Sequence, residues 1–276
     1  QEVSVEPVDY TFTQFARNSF YRTQNAHLVD MAEVGSGQRI VDLACGTGGV
    51  TELIAERLRD ARDSVIIAFD QSSDMLKLAM DELKDVREAA IQFVQGQVEH
   101  VSESLRESAD TVIFCNAIHY VPDKEALIDE ISKTLKPGGK LAFNTTFFKG
   151  AQLPETLHFY RKWMLNASRF LRREYGLKPT RSKKTEARKQ LTADEYQELV
   201  EKNGFRVIRK EIDTVDFTME GFLDISTFQD FIEGTMPGVP DDKARAALRT
   251  GATKAFEEMN VNYIPRNWLD VVAIRT

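Results

Sequence analysis

Short apolar runs alternate with amphipathic stretches through the first 150 residues of the chain. Five runs rich in β-branched and aromatic residues stand out, at 39–44, 65–70, 91–96, 111–117 and 140–147. Between them, apolar residues recur every three or four positions, which is the period of a helix. Alternation at such short intervals predicts βαβ units, and therefore a mostly parallel sheet with helices on both faces.

The rest of the chain is less regular. Thr192 and Glu195 form a capping-box signature that opens a helix, and Gly204 ends it. The pattern predicts five further segments: a helix within 1–35, an amphipathic helix over 154–175, a strand at 205–212, added helices over 219–262 and a last strand at 268–275.

Composition limits the class of protein. Of 276 residues, 42% are hydrophobic and 29% charged, which is typical of a globular domain. The formal net charge of −7 disfavours a dedicated nucleic-acid binder, and two cysteines are too few for a disulfide scaffold. No apolar run approaches the roughly 20 residues that span a bilayer, and the first residues show no leader pattern. We therefore expect a cytoplasmic protein without a membrane span.

The most informative segment is a glycine-rich turn. The strand carrying Asp42 runs into Cys-Gly-Thr-Gly-Gly at 45–49, and a helix follows. Glycines let the backbone approach a ligand closely, and a helix N-terminus offers free N–H groups. A dinucleotide-binding loop would need glycine at position 51, where Thr51 stands. The next strand ends in Asp70, whose carboxylate can accept hydrogen bonds from ribose hydroxyls.

Four motifs occur in order: DLACGTGG (42–49), FDQSSDML (69–76), CNAIHYVPD (115–123) and LKPGGKL (135–141). Together they resemble the class I S-adenosylmethionine-dependent methyltransferases. The resemblance implies a three-layer α/β fold of the Rossmann-like type, with a mostly parallel seven-stranded sheet and helical lid insertions. It also implies S-adenosylmethionine as cofactor and S-adenosylhomocysteine as product.

The resemblance implies one domain over 1–276 with five parts. These are an N-terminal helical cap (1–35), a cofactor-binding core (36–150), a helical lid insertion (151–190), the closing part of the sheet (191–218 and 263–276) and a second helical insertion (219–262).

The same resemblance assigns the cofactor-binding residues. They are Asp42, Ala44, Gly46 and Gly48 for the methionine part, Asp70 for the ribose, Gln71, Met75, Gln97 and Val98 for the adenine, and Asn116 for the pocket floor. Tyr21 or Arg22 is expected over the cofactor carboxylate. Gln97 departs from the family, which often has aspartate there, although a Gln carbonyl also accepts a hydrogen bond.

His119 follows the fourth strand and is the candidate general base, because imidazole titrates near neutrality. The alternative is a rim histidine that only packs. Tyr120 is either a substrate wall or part of the core. His27 and His158 are expected to pack, and His100 to lie on the surface. Cys45 and Cys115 are expected to be free thiols near the cofactor. No His, Cys or Asp spacing predicts a metal site.

Two features bear on the substrate. The helix at 154–175 is either a lid or core, and with Phe222, Ile225, Phe228, Phe231 and Ile232 it suggests an enclosed, aromatic-lined site. Residues 160–189 hold eleven Lys or Arg and two Glu, so their net charge is 11 − 2 = +9. That segment is either a solvated surface or a patch for an anionic group or a carrier protein.

The resemblance implies a methyltransferase acting on O or C, less favourably N, of a small, partly hydrophobic metabolite such as those of natural-product biosynthesis. Two alternatives stay open: a related enzyme that binds the cofactor but catalyses another reaction such as cyclisation, and a non-catalytic cofactor-binding or scaffold protein that uses the basic segment for docking.

Overall fold

The computed structural model describes residues 18–59, 63–180 and 190–276. The part of the predicted N-terminal helix before residue 18 and most of the basic stretch after residue 180 lie outside them. Seven strands form one sheet in the order β3-β2-β1-β4-β5-β7-β6. They are β1 (Arg39–Leu43), β2 (Val65–Asp70), β3 (Ala90–Gln95), β4 (Ala109–Cys115), β5 (Leu135–Thr145), β6 (Phe205–Thr218) and β7 (Tyr263–Arg275).

Strands β1 to β5 run parallel, and β7 lies antiparallel between β5 and β6. This confirms the mostly parallel seven-stranded sheet. The strand order reverses between β1 and β4, so the carboxyl ends of these two strands flank a crevice of the kind in which open α/β sheets bind ligands.

The helices cover both faces of the sheet. They are α1 (Ser19–Ala32), α2 (Gly49–Arg57), α3 (Ser73–Glu82), α4 (Val101–Ser104), α5 (Lys124–Thr134), α6 (Leu157–Tyr175), α7 (Ala193–Lys202), α8 (Met219–Ile225), α9 (Gln229–Thr235) and α10 (Asp241–Met259). The predicted capping box is confirmed, because Thr192 and Glu195 form both reciprocal hydrogen bonds, and Ser72 likewise caps α3 by accepting from the Met75 N–H. Within the described residues, no helix is long and apolar enough to cross a bilayer.

Three strands differ from the sequence pattern by five or six residues at one end. Strand β5 begins at Leu135 rather than Lys140, with a register shift opposite Ala109 and Thr111. Strands β6 and β7 extend past the sheet as a two-stranded ribbon, in which Asp213 pairs with Trp268 and Thr218 with Tyr263. Buried and exposed residues alternate along the extension because only one of its faces is covered. The polar residues at the exposed positions interrupt the apolar run, so the sequence pattern did not predict a strand there.

The second half of the chain builds its own apolar cluster, which we call the insertion core. It joins α6, α8, α9 and α10 to the ribbon of β6 and β7. Trp163 is 1% exposed and donates from its indole Nε1 to the Leu248 carbonyl at 2.8 Å. Phe222 packs edge-on against Phe159 and Trp163, with ring centroids 4.9 and 5.3 Å apart.

This packing accounts for the aromatic residues of the second insertion. Phe222, Ile225, Phe228 and Ile232 are all buried against other side chains of the insertion core, and their contact with a substrate stays a prediction. Large aromatic residues bury more apolar surface than any others, and here they bury it against one another. Of the two readings of α6, core packing therefore accounts for its apolar face.

Candidate cofactor and active site

The glycine-rich turn after β1 is held in an unusual backbone conformation. Ala44, Gly46 and Gly48 have φ angles of 58°, 54° and 87°. A Cβ on Gly48 would lie 2.7 Å from Leu83 Cδ1, so no larger residue fits there. The Cys45 N–H donates to the Phe69 carbonyl at 3.0 Å, which fixes the turn to the end of β2. The turn thus leaves the first N–H groups of α2 facing the crevice.

Asp70 ties this turn to the next helix. Its Oδ2 accepts from the Gly46 N–H at 2.9 Å, and its Oδ1 accepts from the Ser72 N–H at 2.9 Å. The residue is 8% exposed. Each carboxylate oxygen keeps a further lone pair, so the side chain can still accept from two hydroxyls of a ligand.

Asp42 lies beneath the turn. It is 1% exposed, and Thr51 Oγ1 donates to its Oδ2 at 2.6 Å. Burial raises the pKa of this carboxyl to about 7, partly offset by the Thr51 hydrogen bond. Thr51 is the residue that departs from the dinucleotide-binding pattern, and the structure shows its purpose: it connects α2 to Asp42.

A crevice opens beside the turn. Its lining comes from α1, from the turn, from α2 and from the end of β4: Tyr21, Arg22, Asn25, Ala44, Cys45, Thr47, Gly49, Val50, Leu53 and Cys115. Both candidates for the cofactor carboxylate therefore reach the crevice. Arg22 is half-exposed and paired with Glu52 and Glu56 at 2.7 and 2.8 Å, whereas Tyr21 is buried.

Cys45 and Cys115 are both free thiols at the wall of this crevice. Burial raises the pKa of each thiol above its ordinary value, and the nearby Asp42 carboxyl adds to the effect. Both are therefore protonated and poorly nucleophilic at neutral pH.

The predicted adenine-side residues follow β2 and β3. Gln71 and Gln97 are exposed, and Met75 and Val98 are half-buried. The ends of the two strands are linked, because the Gly96 N–H donates to the Asp70 carbonyl at 3.0 Å. Their contacts with adenine stay a prediction.

Asn116 stands at the end of β4 with a φ of 47° and is fully buried. Its N–H donates to Asn144 Oδ1 at 2.8 Å, and its own Oδ1 accepts from the Thr146 N–H at 3.2 Å. Asn144 Nδ2 in turn donates to Asn25 Oδ1 at 3.1 Å. The Asn116 Nδ2 has no hydrogen-bond partner within the described chain. A buried amide without a partner is costly, which marks a donor available to a ligand.

His119 lies in the short turn Ile118–Tyr120 that follows β4. Its Nδ1 is 3.0 Å from Thr145 Oγ1, and its ring packs against Phe147 at a centroid distance of 4.5 Å. The Nε2 is buried and has no partner among the described residues. Burial, together with the positive charges of Lys124 and Arg266, lowers the His119 pKa to about 3. The expectation that this histidine titrates near neutrality is therefore wrong, and the imidazole is neutral at physiological pH.

Sequence reasoning missed two cations beside His119. Arg266 is 6% exposed in the ribbon part of β7, and Lys124 is 9% exposed at the start of α5. Arg266 could have been recognised as an arginine within an apolar C-terminal stretch. The predicted strand, however, began two residues after it, at Trp268. Lys124 is the first residue of α5, and a lysine at the start of a helix is usually exposed to solvent, so nothing in the sequence indicated its burial.

The other histidines lie outside this group. His27 Nε2 is 3.0 Å from Glu211 Oε2, and Asp213 lies close enough that the three residues offer one metal-ligand atom each within 4.8 Å. Glu211 is also paired with Arg209 at 2.8 Å, so an ion-pair network accounts for the cluster. His100 is exposed as expected. His158 is exposed on α6, so the expectation that it packs is wrong.

The fold and this site define an α/β protein that binds a nucleoside-bearing ligand at the carboxyl ends of β1, β2 and β4. Residues 40–139 match the family model described as a methyltransferase domain. The chain is 31% identical over 135 residues to trans-aconitate 2-methyltransferase of Paracidovorax citrulli, a match covering 49% of this chain and 49% of that protein. It is 30% identical over 110 residues to ubiquinone biosynthesis O-methyltransferase of Idiomarina loihiensis, covering 40% and 42%.

A solved structure is similar over most of the chain. Haemonchus contortus phosphoethanolamine N-methyltransferase 2, in complex with phosphomonomethylethanolamine and S-adenosylhomocysteine, has a TM-score of 0.55 at 18% identity, covering 96% of this chain and 56% of that one. The chain spans about half the length of the curated relatives it matches. Residues 40–139 are therefore a methyltransferase domain by this match, and the fold and the ordered motifs resemble those of the class I S-adenosylmethionine-dependent methyltransferases.

S-adenosylmethionine is the cofactor of this family, and the residues present fit it. Asp70 keeps lone pairs for ribose hydroxyls, the turn at 44–48 brings backbone close to the crevice, and the Asn116 amide lacks a partner. Tyr21 and Asn25 of α1 close the opposite side.

Proposed function

We propose that this chain transfers a methyl group from S-adenosylmethionine to an oxygen or carbon atom, less favourably a nitrogen, of a small, partly hydrophobic metabolite. One observation carries the proposal. The ligand-binding groups of the turn and Asp70, and the unpartnered Nε2 of His119, all lie at the carboxyl edge of the sheet, on β1, β2 and β4.

When bound, the cofactor supplies an electrophilic methyl group, so the protein mainly aligns the acceptor and excludes water. Tyr21, Cys45 and Cys115 make one wall of the crevice from buried side chains. An oxygen or carbon acceptor gives up a proton during transfer. With the imidazole proton on Nδ1, facing Thr145 Oγ1, His119 presents a lone pair on Nε2 that can accept that proton.

The neutral His119 matters for the choice of acceptor. An imidazole of low pKa is a weak base, so it suits an acceptor that is already acidic, such as an enol, a phenol or an activated carbon acid. This supports the O or C preference over an amine, which needs to lose its proton before transfer when it is cationic.

The test has two stages. Calorimetric titration with S-adenosylmethionine and S-adenosylhomocysteine should give saturable binding. If neither compound binds, the two enzyme hypotheses are excluded and the scaffold protein that docks through the basic segment remains. Methyl-labelled cofactor is then incubated with separate pools of hydroxylated, carbon-acid and amine metabolites. Label is expected in the first two pools. Binding without transfer to any pool, but with consumption of an unmethylated metabolite, would favour the cyclisation reading.

A further inference from the structure

Two buried cations flank His119 without an acidic partner. Neither Arg266 nor Lys124 has a carboxylate within 4.0 Å among the described residues, whereas more exposed cations such as Arg22 do. Both charges act on the His119 ring. An uncompensated buried charge costs several kcal/mol as a rule, so its retention calls for a counter-charge that arrives from outside.

Arg266 is held by neutral groups alone. Its Nε donates to the Thr146 carbonyl and hydroxyl at 3.0 and 2.9 Å, and its Nη2 donates to the same carbonyl at 2.6 Å. Its Nη1 donates to the Tyr160 hydroxyl at 3.0 Å. The guanidinium also lies over the Phe147 ring, 5.2 Å from its centroid. These contacts fix the orientation of the group while leaving its charge unpaired.

The donor count shows what fits. A guanidinium has five N–H bonds, and these contacts use one on Nε, one on Nη1 and one on Nη2. One N–H therefore remains on each terminal nitrogen. A carboxylate presents two oxygens at the matching spacing and forms the bidentate pair that arginine favours. The Tyr160 hydroxyl accepts from Arg266, so its own proton is available as another donor.

Lys124 adds a second positive charge near His119. Its Nζ donates to the Val121 carbonyl at 2.8 Å, and burial lowers its pKa. An anion between the two cations would relieve the desolvation of both. His119 and Phe147 join the two positions, since each lies against the other and Phe147 also lies under the guanidinium.

We propose that Arg266, with Tyr160 and Lys124 in support, forms a binding site for a carboxylate group of the methyl acceptor, so that the acceptor is a small organic acid. This rests on the proposed function, which it deepens by naming the substrate class. Phe147 and Tyr160 place aromatic surface beside the carboxylate, which suits an acid with an apolar portion.

The probe is sodium acetate, with sodium chloride at matched ionic strength as reference. The His119 imidazole and the Arg266 Nε–H are followed by NMR in the full chain, with and without S-adenosylhomocysteine. Acetate should shift both signals saturably. Arg266→Gln should weaken the apparent affinity by at least about tenfold. The matched control Arg161→Gln removes an exposed arginine of α6 and should behave as wild type.

Arg266→Lys keeps the charge but loses the paired donors, and it serves if the Gln variant does not fold. It should bind acetate more weakly while keeping its affinity for S-adenosylhomocysteine. The proposal is overturned if acetate shifts neither signal beyond chloride, or if both Arg266 variants bind acetate as wild type does. Tighter binding of inorganic phosphate than of acetate would also overturn it, in favour of a phosphorylated acceptor.

Calorimetry with S-adenosylhomocysteine on the same samples separates the two proposals. If the wild-type protein does not bind S-adenosylhomocysteine, the methyltransferase proposal is contradicted. If it binds S-adenosylhomocysteine but does not respond to acetate, only the proposal of an organic-acid acceptor is contradicted.

Discussion

The behaviour of individual side chains in this protein depends on what surrounds them more than on their type. Asp42, Asp70 and Asp270 are all buried aspartates, yet they differ in role. Asp70 accepts two backbone N–H groups, Asp42 accepts one hydroxyl, and Asp270 has no hydrogen-bond partner for either oxygen within the described residues. Asp70 is therefore available to bind a ligand. Burial raises the pKa of both Asp42 and Asp270 to about 7.

Asp70→Asn tests the cofactor site. The amide keeps one acceptor oxygen and turns an NH₂ group toward a backbone N–H, either Gly46 or Ser72, so the turn loses one tie and the ribose one acceptor. We expect the dissociation constant for S-adenosylhomocysteine, measured by calorimetry, to rise about tenfold or more. Asp81→Asn, at an exposed position of α3, is the control. Unchanged affinity in Asp70→Asn would remove Asp70 from the site.

His119→Ala tests the proton acceptor. Turnover should fall by about 10²- to 10⁴-fold, the usual contribution of a general base, while affinity for S-adenosylhomocysteine stays at the wild-type value. Because its pKa is about 3, the imidazole stays neutral from pH 5 upward. The wild-type rate should therefore show no acid limb from His119 between pH 5 and 8.

The control for that experiment is His158→Ala, which removes an exposed histidine of α6. Near wild-type turnover in His119→Ala would leave His119 as a packing residue. A loss of wild-type rate centred near pH 6.5 would contradict the lowered pKa.

Asp270→Asn tests the buried carboxyl of β7. Burial raises its pKa to about 7, whereas an aspartate in the unfolded chain titrates near about 4. Between these values the folded state binds more protons than the unfolded state, so the free energy of unfolding falls as pH rises through this window. Because asparagine cannot ionise, the free energy of unfolding of the Asn variant should lack this decrease with rising pH. The variant should match wild type near pH 4 and exceed its stability by on the order of 1–3 kcal/mol at pH 8.

Urea unfolding at pH 4, 6 and 8 measures this difference. Asp216→Asn, an exposed position of β6, controls for the loss of an acidic side chain. Parallel pH curves for wild type and Asp270→Asn would mean that Asp270 does not titrate in this window.

At the scale of elements, α6 and α10 approach each other closely at Gly251. A Cβ on Gly251 of α10 would lie 2.7 Å from the Ala167 N and 2.8 Å from the Trp163 carbonyl oxygen of α6. These are backbone atoms, which cannot rotate away. The absence of a side chain at Gly251 therefore sets the separation of the two helices there.

Gly251→Ala should push these helices apart and lower the free energy of unfolding by about 1–3 kcal/mol, despite the better helix propensity of alanine. Gly234→Ala is the matched control, because a Cβ there meets nothing within 4 Å. That change should leave stability unchanged or raise it by up to about 1 kcal/mol. If urea unfolding shows the same change in the free energy of unfolding for both substitutions, α6 and α10 can move apart to accommodate a methyl group without loss of stability.

Across the whole molecule, the sequence predicts the sheet well where strands are buried on both faces. The run at 65–70 coincides with β2, because a strand inside a parallel sheet is apolar throughout. The ribbon of β6 and β7 was missed, because Asp213, Thr214 and Asp216 interrupt its apolar positions. The glycine turn, Asp70, Asn116 and His119 could be located since each follows the end of a strand, which fixes its place before any packing is known.

Pairwise consequences of folding could not be predicted. Lys124 follows His119 closely in the chain, but Arg266 lies on β7 and comes to lie near His119 only because β7 inserts beside β5. The low pKa of His119 depends on those two charges and on burial, so no local pattern around position 119 contains it. The insertion core shows the same limit, because helical spacing in α6 does not say whether an aromatic face covers a ligand or another helix.

Helix α1 lies outside the segment that matches the methyltransferase family model, residues 40–139, yet Tyr21, Arg22 and Asn25 form one side of the crevice. A fragment cut at the matched boundaries would keep three of the four signature motifs whole and most of the fourth, and would still have an open groove where the whole chain has two walls. The segment that makes the protein recognisable is thus not the same as the segment that makes it able to retain a ligand. Variation in the first turns of α1 would alter cofactor affinity without changing any residue by which the family is detected.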